Sequence, residues 1–268
     1  MTRGLRKVQP LAMPQAKRAT LRGKRPELKW VAPTDLLVDG TYQRDLSERS
    51  IRLITRMIEC FAWNRMKPPI VTRVAGGFHV IDGQHTAIAA ASMGVPEIPI
   101  FIVEAESLDE RARAFVGHNT DRIVVSPFDI YRALLSSGDP SARAVDEVCQ
   151  AAGIRIRRIQ PNSLVAEGDT AAIGRVQALV KKRGPQKAIV LLKALVKAKL
   201  APVGSPEILA ADYLLFEDGV IDAETLSRII RIDGAEGIAQ AHAASKLTKT
   251  PIWRVLAEKW LKKRKQAA

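Results

Sequence analysis

The hydrophobic pattern of this chain changes period partway along, and that change limits its fold more than any other feature. Up to about residue 127, short apolar runs alternate with helical stretches; beyond it only helical spacing remains. Residues 69–74 and 78–81 read as strands around a Gly76-Gly77 turn, and 98–103 as another strand. Ile51, Ile54, Ile58 and Phe61 recur at helical spacing behind Asp45 and Glu48, a capping pair three residues apart. Downstream, helices are predicted over 127–135, 141–152, on both sides of Gly184 within 172–200, and over 206–217, 222–231, 234–246 and 251–265. The expected fold class is therefore α+β over residues 30–135, followed by an all-helical C-terminal domain over 136–268, with 155–170 as linker.

Charge is the other unusual property. The 268 residues carry 42 Lys and Arg against 28 Asp and Glu, a net charge of +14, which points to a polyanionic partner. That charge is unevenly placed. Residues 1–29 hold Arg3, Arg6, Lys7, Lys17, Arg18, Arg22, Lys24, Arg25 and Lys29 against Glu27, a net +8, with no apolar periodicity, so a disordered basic arm is expected there. Residues 246–268 carry a net +7, ending in Lys262, Lys263, Arg264 and Lys265, which leaves one net negative charge for everything between. The expectation is DNA, held through its phosphates by the two ends.

Several classes are excluded. Cys60 and Cys149 have neither zinc-ligand nor disulfide-framework spacing, and a reducing compartment follows. No apolar run is long enough to span a membrane and the basic N-terminus lacks an apolar segment behind it, so a cytoplasmic protein without a membrane partner is expected. Aromatic residues make up only 5%, which disfavours single-strand binding by stacked bases.

Chemistry concentrates in Val80-Ile-Asp-Gly-Gln-His-Thr-Ala-Ile-Ala-Ala. A strand ends at Asp82, Gly83 permits a tight turn, and an Ala-rich helix begins whose first-turn N–H groups have no partner within the helix. Such an end accepts an anion. An ordinary strand-to-helix connection would have the same spacing.

Asp82-Gly83-Gln84-His85, behind a glycine hairpin and ahead of Gly94-Val-Pro-Glu-Ile-Pro-Ile, resembles the G-x-x-R box of the ParB/sulfiredoxin superfamily. Tyr42-Gln43-Arg44 is similar to the family's Q-x-R segment. His118-Asn119-Thr120-Asp121-Arg122, with Ser126-Pro127-Phe128-Asp129, is similar to its E-N-x-x-R and L-S-P-x-E segments. The likeness spans residues 34–135. It implies a ParB/sulfiredoxin-like α+β domain, DNA association of plasmid, phage or partition type, a homodimer, and CTP or another nucleotide with Mg2+ as cofactor. The residues it implies for the nucleotide or phosphate are Arg44, Gly83, Gln84, His85, Thr86, Asn119 and Arg122. Some relatives are nucleases, so a nuclease or CTP hydrolase is the alternative, with His85, Asp82 and His118 as candidate catalytic groups and no assigned metal ligand. A degenerate interaction scaffold is the third reading. Sulfiredoxin chemistry is excluded because that loop has no cysteine.

Two positions depart from the family pattern: Thr86 replaces its arginine and His118 its glutamate. An arginine–phosphate contact is worth about 1.5–3 kcal/mol against about 0.3–1 for a helix terminus. Its loss weakens phosphate binding on the order of 10- to 100-fold unless Arg44 or Arg122 replaces it. In the helical half, Val145, Val148, Ala151-Ala152-Gly153 and Ile156 resemble the first helix and turn of a helix-turn-helix. The recognition segment is cut short by Pro161, however, so a plain helical hairpin is expected.

Overall fold

In the computed structural model, Val71, Val80, Ile98 and Ile100 are wholly shielded from solvent and join a five-stranded sheet to its helices. The structure describes residues 7–11, 13, 15, 20, 23–40, 46–121, 124–160 and 162–264. The chain divides into two compact units, residues 1–123 and 124–268.

The first unit contains β1 (Glu27–Val31), β2 (Leu36–Leu37), α1 (Glu48–Glu59), β3 (Ile70–Val74), β4 (Gly77–Asp82), α2 (Gln84–Ser92), β5 (Ile98–Ile102) and α3 (Leu108–Thr120). Strand order is β1-β5-β3-β4-β2. β1 pairs antiparallel with β5, β5 parallel with β3, β3 antiparallel with β4, and β4 parallel with β2. Alternation along β5 sends Ile98, Ile100 and Ile102 into the core, where they meet Ala90 of α2.

This unit corrects three details. The basic arm ends earlier than residue 29, because Glu27–Val31 is a strand whose register on β5 runs Glu27 to Ile102 and Val31 to Ile98. The hairpin turn is Ala75-Gly76, since Gly77 already pairs with Val74. The cap of α1 is Ser47, whose hydroxyl accepts the Ser50 N–H at 3.2 Å; Asp45 lies outside the described residues.

The second unit holds α4 (Pro127–Ser136), α5 (Pro140–Ala152), β6 (Arg155–Ile156), β7 (Asp169–Thr170), α6 (Ile173–Lys197), α7 (Ser205–Phe216), α8 (Ala223–Thr248) and α9 (Ile252–Lys262). α6 breaks at Gly184 and α8 at Gly234, the two interruptions expected from the pattern. Val176, Leu191, Leu192, Leu195, Leu214, Ile229, Leu256 and Trp260 build one core. α4 belongs to this unit, with Phe128, Tyr131 and Leu135 in or against that core.

Residues 155–170 are not a linker. β6 and β7 pair in parallel, and the wholly buried carboxylate of Asp169 accepts from Arg155 Nε at 2.8 Å, Arg157 Nη1 at 3.0 Å and the Ala166 N–H at 2.9 Å. Burial opposes ionisation of Asp169, but the Ala166 N–H and the two guanidiniums outweigh it and hold the carboxyl below its usual range. Arg158 is paired with Asp129. A strand therefore follows α5 where a recognition helix would have to lie, and its arginines serve internal carboxylates.

Candidate functional site

β4 passes into α2 through Gly83 alone. Gly83 has φ +98°, and a Cβ there would lie 2.8 Å from the Cα of Pro69, the residue leading into β3. Backbone conformation and contact both demand glycine. The Gly83 carbonyl accepts the Ala87 N–H at 3.0 Å and closes the first turn. Among the described residues no side chain caps the helix. The N–H groups of Gln84, His85 and Thr86 therefore belong to a helix end that cannot satisfy them internally and that carries the positive end of the helix dipole.

A carboxylate at this mouth would repel an anion, and Asp82 is that carboxylate. Lys67 Nζ lies 3.2 Å from Asp82 Oδ2 and offsets its charge. The sequence reading missed Lys67. It is fifteen residues from Asp82, and only the β3–β4 pairing, which brings the start of β3 beside the end of β4, puts the two together.

Of the residues predicted for the site, Gly83, Gln84, His85 and Thr86 form this turn; the first three are half-buried and Thr86 is buried. Asn119 is exposed and its amide donates to the Phe115 carbonyl at 2.8 Å inside α3, while His118 is half-buried in the last turn of α3. Among the described residues no hydrogen bond joins either one to the Gly83 turn, and no three His, Cys, Asp or Glu side chains gather as metal ligands. Arg44 and Arg122 lie outside the described residues.

A third histidine is internal. His79 is buried in β4, and burial pushes its imidazole below its ordinary value, against the pull of Asp39 and with the help of Arg111. It is a neutral core group at pH 7 rather than part of the turn.

The predicted phosphate-contacting cations fall into three groups. Lys7, Arg25, Lys262 and Arg264 are exposed. Lys24 is paired with Glu104 at 2.8 Å, and Lys263 with Asp233 at 2.7 Å. Arg3, Arg6, Lys17, Arg18, Arg22 and Lys265 lie outside the described residues. Among the described residues no helix is long and apolar enough to cross a membrane.

No family model and no curated protein matches the sequence. Among solved structures, the chain is similar to the C-terminally truncated chromosome-partitioning protein ParB from Caulobacter crescentus complexed with CTP-gamma-S. That likeness has 14% identity and a TM-score of 0.41, and covers 63% of this chain and 99% of that one. It is also similar to a Pnob8-like ParB-N domain, at 13% identity and a TM-score of 0.30, over 81% of this chain and 84% of that one.

Proposed function

We propose that this is a ParB-like, DNA-associated binding protein whose first unit takes a phosphate, as part of a nucleotide such as CTP, at the Gly83 turn. The observation that carries this reading is the turn itself: a glycine wedged on Pro69, a helix end with no side-chain cap, and a neighbouring carboxylate offset by Lys67. Three sequence boxes in family order support it, as do basic ends that would hold duplex phosphates without reading bases.

Calorimetry with CTP, other nucleoside triphosphates and inorganic phosphate, each with and without Mg2+, tests the site. Gln84→Glu puts a carboxylate in the first turn, where it favours the helix but repels an anion. The expected result is at least ~10-fold weaker nucleotide binding at unchanged thermal stability. No heat of binding for any nucleotide in the unaltered protein would remove the pocket from the proposal and leave DNA association to stand alone.

A further inference from the structure

We infer that the open edge of β1 is a self-association surface, where a second copy of this chain pairs its own β1 antiparallel about a twofold axis at Leu28. Among the described residues β1 is a terminal strand of the sheet, bonded to β5 on one side only. Edge strands are normally blunted, because their unpaired N–H and C=O groups recruit other strands. This one carries two large exposed apolar side chains between its charges. Leu28 and Trp30 are 57% and 51% exposed on the face away from the core, where Leu28 stands directly opposite Phe101, itself 40% exposed. Trp63, 54% exposed, sets its ring edge-on to Trp30 at 5.8 Å and extends the patch. The strand is also held in place. Immediately before it, Lys24 bonds Glu104 through both its backbone N–H and its ammonium group.

Charge and register identify the occupant. Residues facing each other across an antiparallel pair project to the same face, so a twofold-symmetric pair must be centred on a residue, and only three centres keep most of β1 in contact. Centring on Trp30 stacks Trp30 on itself but sets Lys29 against Val31, leaving no opposite-charge pair. Centring on Lys29 opposes Lys29 to itself. Centring on Leu28 opposes Glu27 to Lys29 twice, stacks Leu28 on Leu28 and sets Trp30 against Pro26. That register alone opposes residues of opposite charge, and it makes the surface complementary to itself, as a twofold interface requires. Glu27 already bonds Arg73 on its inner side at 2.6 Å, so the partner's lysine would give it a cation on each side. The inference is independent of the phosphate site.

The test is sedimentation equilibrium of the full chain over a dilution series, with thermal melts to confirm folding. A reversible monomer–dimer equilibrium is expected. Glu27→Lys and Lys29→Glu each replace two attractive pairs by two repulsive ones and should weaken association at least ~10-fold, while the double reversal restores it. The second arm reads register in a Cys60→Ser background. Directly opposed Cα atoms lie ~4.5–5.5 Å apart, inside the range a disulfide spans. Leu28→Cys should therefore form a disulfide-linked dimer on oxidation, and Trp30→Cys should not, because it faces Pro26. A chain that stays monomeric throughout, a double reversal that fails to restore association, or equal cross-linking of the two cysteine variants would each overturn the inference.

Discussion

Gly83 shows how one residue fixes the geometry of the candidate site. Its left-handed backbone costs a β-carbon about 1–2 kcal/mol, and the 2.8 Å approach to Pro69 Cα adds a clash with backbone that cannot swing aside. Gly94 is left-handed too, at φ +68°, but nothing lies within 4 Å of its missing side chain. Gly83→Ala should therefore lower unfolding free energy in urea by roughly 3 kcal/mol or more, and Gly94→Ala by only about 1. Equal losses would mean that Pro69 plays no part. The glycine's role was legible because a strand pattern ends and a helical one starts on either side of it. Lys67 was not, since nothing in the local sequence ties it to Asp82. Thr86, a phosphate candidate standing where the family has an arginine, is buried in the packed first turn of α2.

At the scale of elements, periodic apolar stretches were readable and short or composition-masked ones were not. α2, the β3–β4 hairpin and the breaks at Gly184 and Gly234 follow from spacing and punctuation. β1 is hidden because Lys29 and Glu27 continue the composition of the basic arm, and two of its three apolar residues, Leu28 and Trp30, face away from the core. α3 was missed although Ser107 and Glu110 form a reciprocal capping box; its weakly amphipathic sequence buries no residue fully. The β6–β7 pair leaves no mark in the sequence, because two-residue strands have no period to detect. What holds that pair is Asp169, and this gives it a pH signature. Asp169→Asn keeps an acceptor but loses the charge that binds Arg155 and Arg157, both of which stay partly in water, so about 1–2 kcal/mol should be lost at pH 7. The folded carboxyl titrates below its unfolded value, so its contribution is complete above about pH 4 and declines only as pH falls through the depressed folded pKa. Urea midpoints of the two proteins should be separated from pH 7 to 4 and converge below that; a constant gap down to pH 2 would rule out ionisation as the cause.

For the whole molecule, a net charge of +14 describes two basic ends around a near-neutral middle, and the structure shows that not all of those cations are equivalent. Lys259 and Lys263 lie 3.2 and 2.7 Å from the buried carboxylate of Asp233, which also accepts the indole N–H of Trp260 at 3.1 Å, so they serve to fix α9 on α8. Lys262 and Arg264, one position to either side of Lys263, point into solvent. A polyanion meets these residues differently. Each duplex phosphate neutralised by a free cation contributes about −0.9 to the slope of log K against log salt, so engagement of about six cations gives a slope near −5. Removing both Lys262 and Arg264 as alanines should make that slope shallower by nearly 2, and removing residues 1–22 should reduce it further. Lys263→Ala should leave the slope almost unchanged, because its charge is already matched, and should lower the melting temperature instead. Fluorescence anisotropy with a labelled duplex at several salt concentrations reads the slope of each protein. A slope near zero in the unaltered protein, or an equal change from Lys263→Ala and from Lys262→Ala alone, would show that the ends do not hold DNA in this way.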